Sequence, residues 1–119
     1  MKTPPSFPRD ENGDVLRRMA EAGVDLVSRR VIDFEFCFPD EVSANGFTEA
    51  IRTSVMATIV YPPDPVNGEE WGVQCRERMV PSHSAISETE RRLTTVAEQF
   101  GGYADGWGSL SNADGSPAE

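Results

Sequence analysis

The sequence predicts a single α+β domain in which an antiparallel four-stranded sheet carries two helices on one face, preceded by an extra short helix. Residues 31–38 alternate strictly in polarity, as a strand with one buried face does. Residues 82–100 place apolar side chains three and four apart, as a helix with one buried face does. The chain has 119 residues, of which 38% are hydrophobic, and this suffices for one core rather than two.

A short helix is predicted near the N-terminus, after a proline-rich stretch. We expect residues 1–9 to be unstructured, because proline lacks an amide donor and disfavours helix at the residue before it. Either Asn12 or Asp14 could cap the helix that follows. Its shared apolar face comprises Val15, Leu16, Met19 and Ala22. Gly23 stands where many helices end in a left-handed residue.

The strongest strand signal is Val31–Phe38, whose two faces differ sharply in character. One face is wholly apolar and is assigned to the core: Ile32, Phe34, Phe36 and Phe38. The other face is mixed: Val31, Asp33, Glu35 and Cys37. This strand is therefore expected to lie between the helices and a more polar surface.

A weaker helical segment follows, from Pro39 and Asp40 to about Arg52. Its predicted buried positions are Val42, Phe47, Ala50 and Ile51. Gly46 lies inside this segment and costs about 1 kcal/mol relative to alanine, which weakens the helical signal.

Two further strands are predicted as a hairpin with a long connection. Residues 55–61 are β-branched and apolar and end at two prolines, while residues 71–80 alternate in polarity. The core-facing set of the second strand is Trp71, Val73, Cys75 and Met79. Its opposite face carries Gln74, Arg76 and Arg78.

The longest helix and a last short strand complete the domain. Ser82 could cap the helix, although Ser87 and Glu90 also have capping-box spacing, and Gly101 closes it. Tyr103–Trp107 is the predicted final strand. We expect an ordered core at about residues 12–108, with flexible ends at 1–10 and 109–119.

The order of the last six elements matches the split βαβ pattern of ferredoxin-like domains. In that arrangement the first and third strands are neighbours, so Asp33 and Glu35 could face Arg76 and Arg78 across the surface that the helices leave open. Function is then expected on this open face or at a sheet edge.

The charge distribution indicates a basic partner rather than a nucleic acid. The net charge is −9, and residues 31–75 hold one arginine against eight acidic residues. Such a field repels phosphate backbones and attracts basic protein surfaces. The third strand also lacks the basic residue, glycine and alternating aromatics that RNA-binding sheets of this topology use. We therefore predict no direct nucleic-acid binding.

The sequence provides no signal for catalysis. His83 is the only histidine, and no partner for it is apparent beyond the adjacent Ser82 and Ser84, whereas a triad needs three convergent groups. Strand parity places Cys37 and Cys75 on opposite faces, so we expect no disulfide between them and expect Cys75 to be a small core residue. No catalytic residue is predicted.

Metal, cofactor and membrane signals are equally weak. Four residues match the ligand positions of a calcium loop: Asp10, Asn12, Asp14 and Glu21. However, Val15 stands where that loop requires glycine. The glycines at 101–108 follow a helix rather than opening one, unlike those of a dinucleotide site. We therefore expect no metal and no cofactor. No apolar run could span a bilayer or serve as a secretory signal, so we also expect a cytoplasmic protein.

Four blocks of the sequence resemble the bacterial ribonuclease E inhibitors known as regulator of ribonuclease activity B. The blocks are DVLRRMAEAGVDL at 14–26, FEFCFPDE at 34–41, RMVPS at 78–82 and VAEQFGGYADGWG at 96–108, of which the DGW at 105–107 is the most specific. The resemblance implies a small, acidic, cytoplasmic protein with a ferredoxin-like core. It also implies action by binding the endoribonuclease, without chemistry of its own.

The leading hypothesis is a non-enzymatic inhibitor that presents acidic groups to a basic segment of a ribonuclease. The candidate contact residues are Asp33, Glu35, Asp64, Glu69, Glu70 and Asp105. Trp107 could anchor the interface or close the core. Two alternatives stay open: an immunity-like or adaptor protein that binds another basic partner, and a small-molecule-binding domain, which would need a concave pocket.

Overall fold

Four antiparallel strands and three helices make up the computed structural model, which describes residues 10–24, 26–66, 68 and 70–108. The elements are α1 (Glu11–Glu21), β1 (Arg30–Phe38), α2 (Glu41–Ile51), β2 (Ala57–Tyr61), β3 (Trp71–Met79), α3 (His83–Gln99) and β4 (Tyr103–Gly108). The flexible ends predicted at 1–10 and 109–119 lie outside the described residues, except for Asp10. The predicted α+β class is confirmed.

The sheet has the strand order β2-β3-β1-β4, and each neighbouring pair is antiparallel. β1 lies in the interior of the sheet and pairs with β3 along its whole length, from Arg30 opposite Met79 to Phe38 opposite Trp71. β2 and β4 are therefore the two edges. The long β2–β3 connection and the short final strand are as predicted.

The core lies between the sheet and the helices α2 and α3. The predicted apolar face of β1 is fully buried there, together with Val73 and Cys75 of β3. Phe47 of α2 packs its ring 5.3 Å from that of Phe36 and 4.9 Å from that of Phe38, measured between centroids. Three aromatic side chains thus hold α2 against the central strand.

The predicted burial of α2 is wrong at two positions. Val42 is 81% exposed and Ala50 is also exposed, whereas Ala44, Phe47 and Ile51 are buried. At about 100° of rotation per residue, Val42 lies about 140° from Phe47 around the helix axis and so faces solvent. Relative to Phe47, Ile51 lies at about +40° and Ala44 at about +60°, whereas Ala50 lies at about −60°. The buried face therefore extends to one side of Phe47 only and leaves Ala50 exposed.

The helix N-termini are capped by acidic and hydroxyl side chains. The predicted cap Ser82 is confirmed, since it accepts from the amide of Ala85 at 3.1 Å. Asp40, near which α2 was predicted to begin, caps that helix and accepts from the amide of Ser43 at 2.7 Å. The prediction for α1 is wrong, because Asp10 caps it and accepts from the amide of Gly13 at 2.8 Å. Asn12 and Asp14 lie inside α1 instead.

Gly46 is explained by a close approach between α2 and α3. A Cβ atom at this position would lie 2.7 Å from the ring of Phe100, just beyond the end of α3. Glycine lowers the helix propensity of α2, but it leaves the space that the ring of Phe100 occupies. Gly23 and Gly101 have positive φ angles of 84° and 77°, as the predicted helix ends require.

Candidate partner-binding surface

The sheet face opposite α2 and α3, called here the open face, presents three rows of side chains across the strands. The first row is Ala57, Arg76, Asp33 and Gly108. The second row is Ile59, Gln74, Glu35 and Gly106. The third row is Tyr61, Gly72, Cys37 and Tyr103. The acidic groups of these rows thus lie on β1, and apolar groups lie along β2.

Asp33 and Arg76 form an ion pair in the first row, in which Asp33 is buried and Arg76 is partly exposed. Their Cα atoms are in register, and Arg76 Nε donates to Asp33 Oδ1 at 2.9 Å. The hydrogen bond that Arg76 donates to Asp33 is the main reason that the pKa of Arg76 is raised. The predicted facing of Asp33 and Arg76 is confirmed, and it leaves Asp33 buried with its charge balanced.

Glu35 lies in the second row and faces Gln74 rather than a cation. The predicted facing of Glu35 and Arg78 is therefore wrong, since Arg78 lies opposite Val31. Gln74 Nε2 donates to Glu35 Oε1 at 2.8 Å, and the hydroxyl of Tyr61 donates to Gln74 Oε1 at 3.4 Å. Burial raises the pKa of Glu35, and the nearby charges of Asp33 and Asp105 raise it further, against the lowering effect of the Gln74 hydrogen bond. A cation placed beside Glu35 would relieve this cost.

A bulge in β4 places Asp105 beside Glu35. The β1–β4 register shifts between Glu35 and Phe36, so that Asp105 is an extra residue in β4, and Gly106 has a φ of 112°. Such bulges commonly redirect a side chain at a sheet edge. The resulting shallow cavity, of about 320 Å³, is lined by Asp33, Glu35, Gln74, Asp105, Gly106, Trp107 and Gly108. Four of the predicted contact residues are therefore brought together.

The remaining predicted acidic residues belong to the β2–β3 connection. Asp64 shapes its turn, since its Oδ1 accepts from the amide of Val66 at 2.7 Å and its carbonyl accepts from that of Gly68 at 2.9 Å. Glu69 lies outside the described residues. Glu70 accepts a 2.7 Å hydrogen bond from the hydroxyl of Tyr103, which ties the connection to β4.

Trp107 reaches the helix side of the sheet. It is in register with Phe34 and packs, half-buried, against the core. Its Nε1 donates to Asn12 Oδ1 at 2.8 Å, while Asn12 Nδ2 donates to Ser87 Oγ at 3.0 Å and to Glu90 at 3.3 Å. Asn12 therefore joins α1, α3 and β4, a role that its position in the sequence could not indicate.

A larger groove, of about 660 Å³, runs between α1, α3 and β4 on the helix side. Glu11, Glu90 and Glu98 line it together with Arg91 and Asp105. Asp105 borders both this groove and the cavity on the open face. The groove is therefore mainly acidic as well.

His83 has a partner that its sequence neighbours did not indicate. Its Nε2 lies 2.8 Å from Asp10 Oδ2, so the prediction that no partner exists beyond Ser82 and Ser84 is wrong. The pKa of Asp10 is lowered, first by the amide of Gly13 and then by His83. The contact joins the N-termini of α1 and α3, where His83 is the first residue of α3, as predicted.

The two thiols are poor nucleophiles in this environment. Burial raises the pKa of Cys37, and it raises that of Cys75 to about 12, so both stay protonated near neutral pH. Cys75 is buried in register with Phe34, whereas Cys37 lies on the open face, which confirms their predicted separation. Within the described ranges, no three His, Cys, Asp or Glu side chains are grouped to hold a metal ion. The helices of the described part are all too short or too polar to cross a bilayer.

The fold and the site together define an α+β protein with an acidic cavity on the open face of its sheet. Residues 9–109 match the model of the family described as regulator of ribonuclease activity B. The chain belongs to this family of ribonuclease regulators, which confirms the resemblance seen in its sequence blocks. A search of curated proteins finds no match.

Proposed function

We propose that this chain is a non-enzymatic regulator that binds a basic segment of a ribonuclease, of the ribonuclease E type, and thereby modulates RNA decay. The observation that carries the proposal is the charge balance of the open-face cavity. Glu35 and Asp105 both line it, while Arg76, the cation in register with Asp33, is paired with Asp33. The cavity is thus acidic beyond its internal ion pair.

Electrostatics favours a guanidinium or ammonium group at this position. The neighbouring charge of Asp105 contributes to the raised pKa of Glu35, so the two carboxylates repel each other. A cation between them replaces this repulsion with two attractions, and an arginine could bond both carboxylates. The net charge of −9 would also draw a basic segment toward the protein before contact.

Two features support a binding role rather than a catalytic one. The family comprises regulators of ribonuclease activity, and both thiols are held protonated. The strand order β2-β3-β1-β4 supports a ferredoxin-like arrangement, a scaffold that leaves one sheet face available to a partner. A cytoplasmic location follows from the proposed ribonuclease partner.

We assign Trp107 to the support of this surface rather than to its contact. Its indole is half-buried against the core, and its N–H is already bonded to Asn12. Loss of the indole would loosen β4 and so displace Asp105, which is two residues away. The same reasoning leaves Asp33 as a structural partner of Arg76, and Glu35 and Asp105 as the principal contacts.

The proposal is tested by calorimetric titration of the chain with a purified ribonuclease of the ribonuclease E type over a range of salt concentrations. The double variant Glu35→Gln/Asp105→Asn should weaken binding about tenfold and reduce its salt dependence. The matched control Glu49→Gln/Glu88→Gln removes two exposed carboxylates from the helices and should leave binding nearly unchanged.

Equal weakening by both double variants would contradict the proposed surface. The absence of any salt-sensitive association, together with unchanged RNA decay on overexpression, would contradict the proposed function. Equally tight, site-dependent binding to unrelated basic proteins would favour the adaptor alternative.

A further inference from the structure

The two edges of the sheet are protected very differently. Edge strands normally carry charges, bulges or prolines that prevent pairing with another chain. β4 has the bulge at Asp105 and Gly106 and the charge of Asp105. In contrast, residues 53–63, which include all of β2, are eleven consecutive residues without a charged side chain, although 26% of the chain is charged. The β2 edge lacks the usual protection.

The β2 edge is also regular and apolar. Ala57–Tyr61 pairs with β3 in one continuous register, and the prolines at 62 and 63 come only after the strand. Met56, Ile59 and Tyr61 are all exposed large hydrophobic residues. An uncharged edge with exposed apolar side chains favours the addition of another strand.

We propose that β2 pairs antiparallel with β2 of a second copy of this chain, about a two-fold axis at Ile59. In this register Ile59 lies opposite its own copy, Ala57 lies opposite Tyr61, and Thr58 lies opposite Val60. The small Ala57 then accommodates the large Tyr61 on the open face, and each such contact occurs twice. The two sheets become one antiparallel sheet of eight strands.

The charge of the chain restricts self-association to an uncharged surface such as the β2 edge, and the self-complementary register about Ile59 identifies a second copy as the occupant. Two chains that each carry −9 repel each other, so self-association requires a contact segment free of like charges. The β2 edge satisfies this requirement. The nearest charged groups on β3 are already engaged, since Arg76 is paired with Asp33, and Glu77 Oε1 accepts from the amide of Met56.

The pairing is independent of the proposed ribonuclease contact. β3 separates β2 from β1, so Glu35 and Asp105 stay clear of the pairing edge. The two-fold axis is perpendicular to the sheet and therefore presents both acidic cavities on the same side. A five-residue strand buries much less than the roughly 800 Å² per partner of a standard interface, so the dimer is weak and concentration-dependent.

The test is sedimentation equilibrium of the full chain from about 10 µM to about 500 µM. The unaltered chain should form dimers as the concentration rises. Ile59→Lys places two like charges opposite each other and should weaken dimerisation about tenfold or more. Val42→Lys, at an exposed apolar position on α2, is the matched control and should dimerise normally.

A mixture of Ile59→Lys and Ile59→Glu tests the register itself. Opposite charges meet across the axis, so the mixture should associate more strongly than either variant alone. Circular dichroism of each variant should show the unaltered fold, because Ile59 is exposed. A chain that stays monomeric at the highest concentration, or a dimer insensitive to Ile59→Lys, would overturn the proposal and leave the ribonuclease contact unaffected.

Discussion

The two faces of β1 are built from alternate residues of one strand, yet they are specified in different ways. Phe34 and Phe36 face the helices and are buried among many other apolar side chains. Asp33 and Glu35 face the other side, where each is matched to one particular side chain of β3. The apolar face requires only that its side chains be hydrophobic and buried, whereas the polar face depends on individual hydrogen-bonded pairs. Changes on the two faces should therefore have different consequences.

The largest expected effect is on the helix-covered face. Phe47→Ala removes the ring that contacts Phe36 and Phe38 and leaves a cavity beneath α2. The free energy of unfolding should fall by about 3–5 kcal/mol. Urea denaturation followed by circular dichroism measures this.

Val42→Ala is the matched control, since it shortens an apolar side chain of the same helix that is 81% exposed. It should change stability by less than about 0.5 kcal/mol. Similar losses for both variants would mean that α2 packs in another orientation.

Trp107→Ala should have the next largest effect, because Trp107 packs on the core from the β4 edge. The half-buried indole should be worth about 2–3 kcal/mol of unfolding free energy, and binding to the ribonuclease should weaken as β4 loosens. Thermal melting and titration calorimetry measure the two quantities.

Asn12→Ala separates the contribution of the indole hydrogen bond from that of ring packing. It removes the acceptor of the indole N–H but keeps the ring, and should cost only about 1 kcal/mol. Loss of binding in Trp107→Ala with an unchanged melting temperature would instead make Trp107 an interface anchor.

On the open face, Arg76→Met should destabilise the protein by about 2 kcal/mol. The change leaves Asp33 buried without its ion-pair partner. The double variant Asp33→Leu/Arg76→Met should regain most of the loss, since no unpaired charge is then buried. Arg78→Met, at an exposed position of the same strand, should be nearly neutral in the same urea experiment. A double variant less stable than Arg76→Met would show that the pair itself is net stabilising.

The smallest effect concerns the charge of Glu35. Its pKa in the folded protein is raised above that of an unfolded glutamate, mainly by burial, so folding favours the protonated form. The free energy of unfolding therefore falls as pH rises through this pKa. Glu35→Gln should therefore be slightly more stable than the unaltered chain at neutral pH, because a neutral amide avoids the cost of burying a charge.

This difference should vanish at about pH 4 and below, where Glu35 is protonated in both states. Urea denaturation at several pH values tests it. A difference that grows as pH falls would contradict the sign of the pKa shift.

Local sequence patterns predicted the elements in which buried residues recur at regular spacing. The alternation in β1 predicted every buried residue of its apolar face, and the cap Ser82 followed from its side-chain chemistry. In α2 the apolar residues are few and Gly46 interrupts them, so the prediction for Val42 rested on residue type alone. The angular position of Val42 on the helix instead places it in solvent.

The candidate site depends on contacts between distant residues, which local patterns do not encode. Asn12 bonds to Trp107, 95 residues later, and Asp10 meets His83 across 73 residues. The bulge at Asp105 had a weak signal in the glycine that follows it. The pairing of Glu35 with Gln74 could have been predicted from the β1–β3 register once the strand order was assumed.

The most direct test of the acidic open face as the partner surface is nuclear magnetic resonance of the ¹⁵N-labelled chain, titrated with a basic segment of the ribonuclease. We expect the largest shift changes at Glu35, Gln74, Asp105 and Gly106, with little change at the exposed residues of α2. Largest changes on the outer surfaces of α2 and α3, with the open face unchanged, would contradict this expectation.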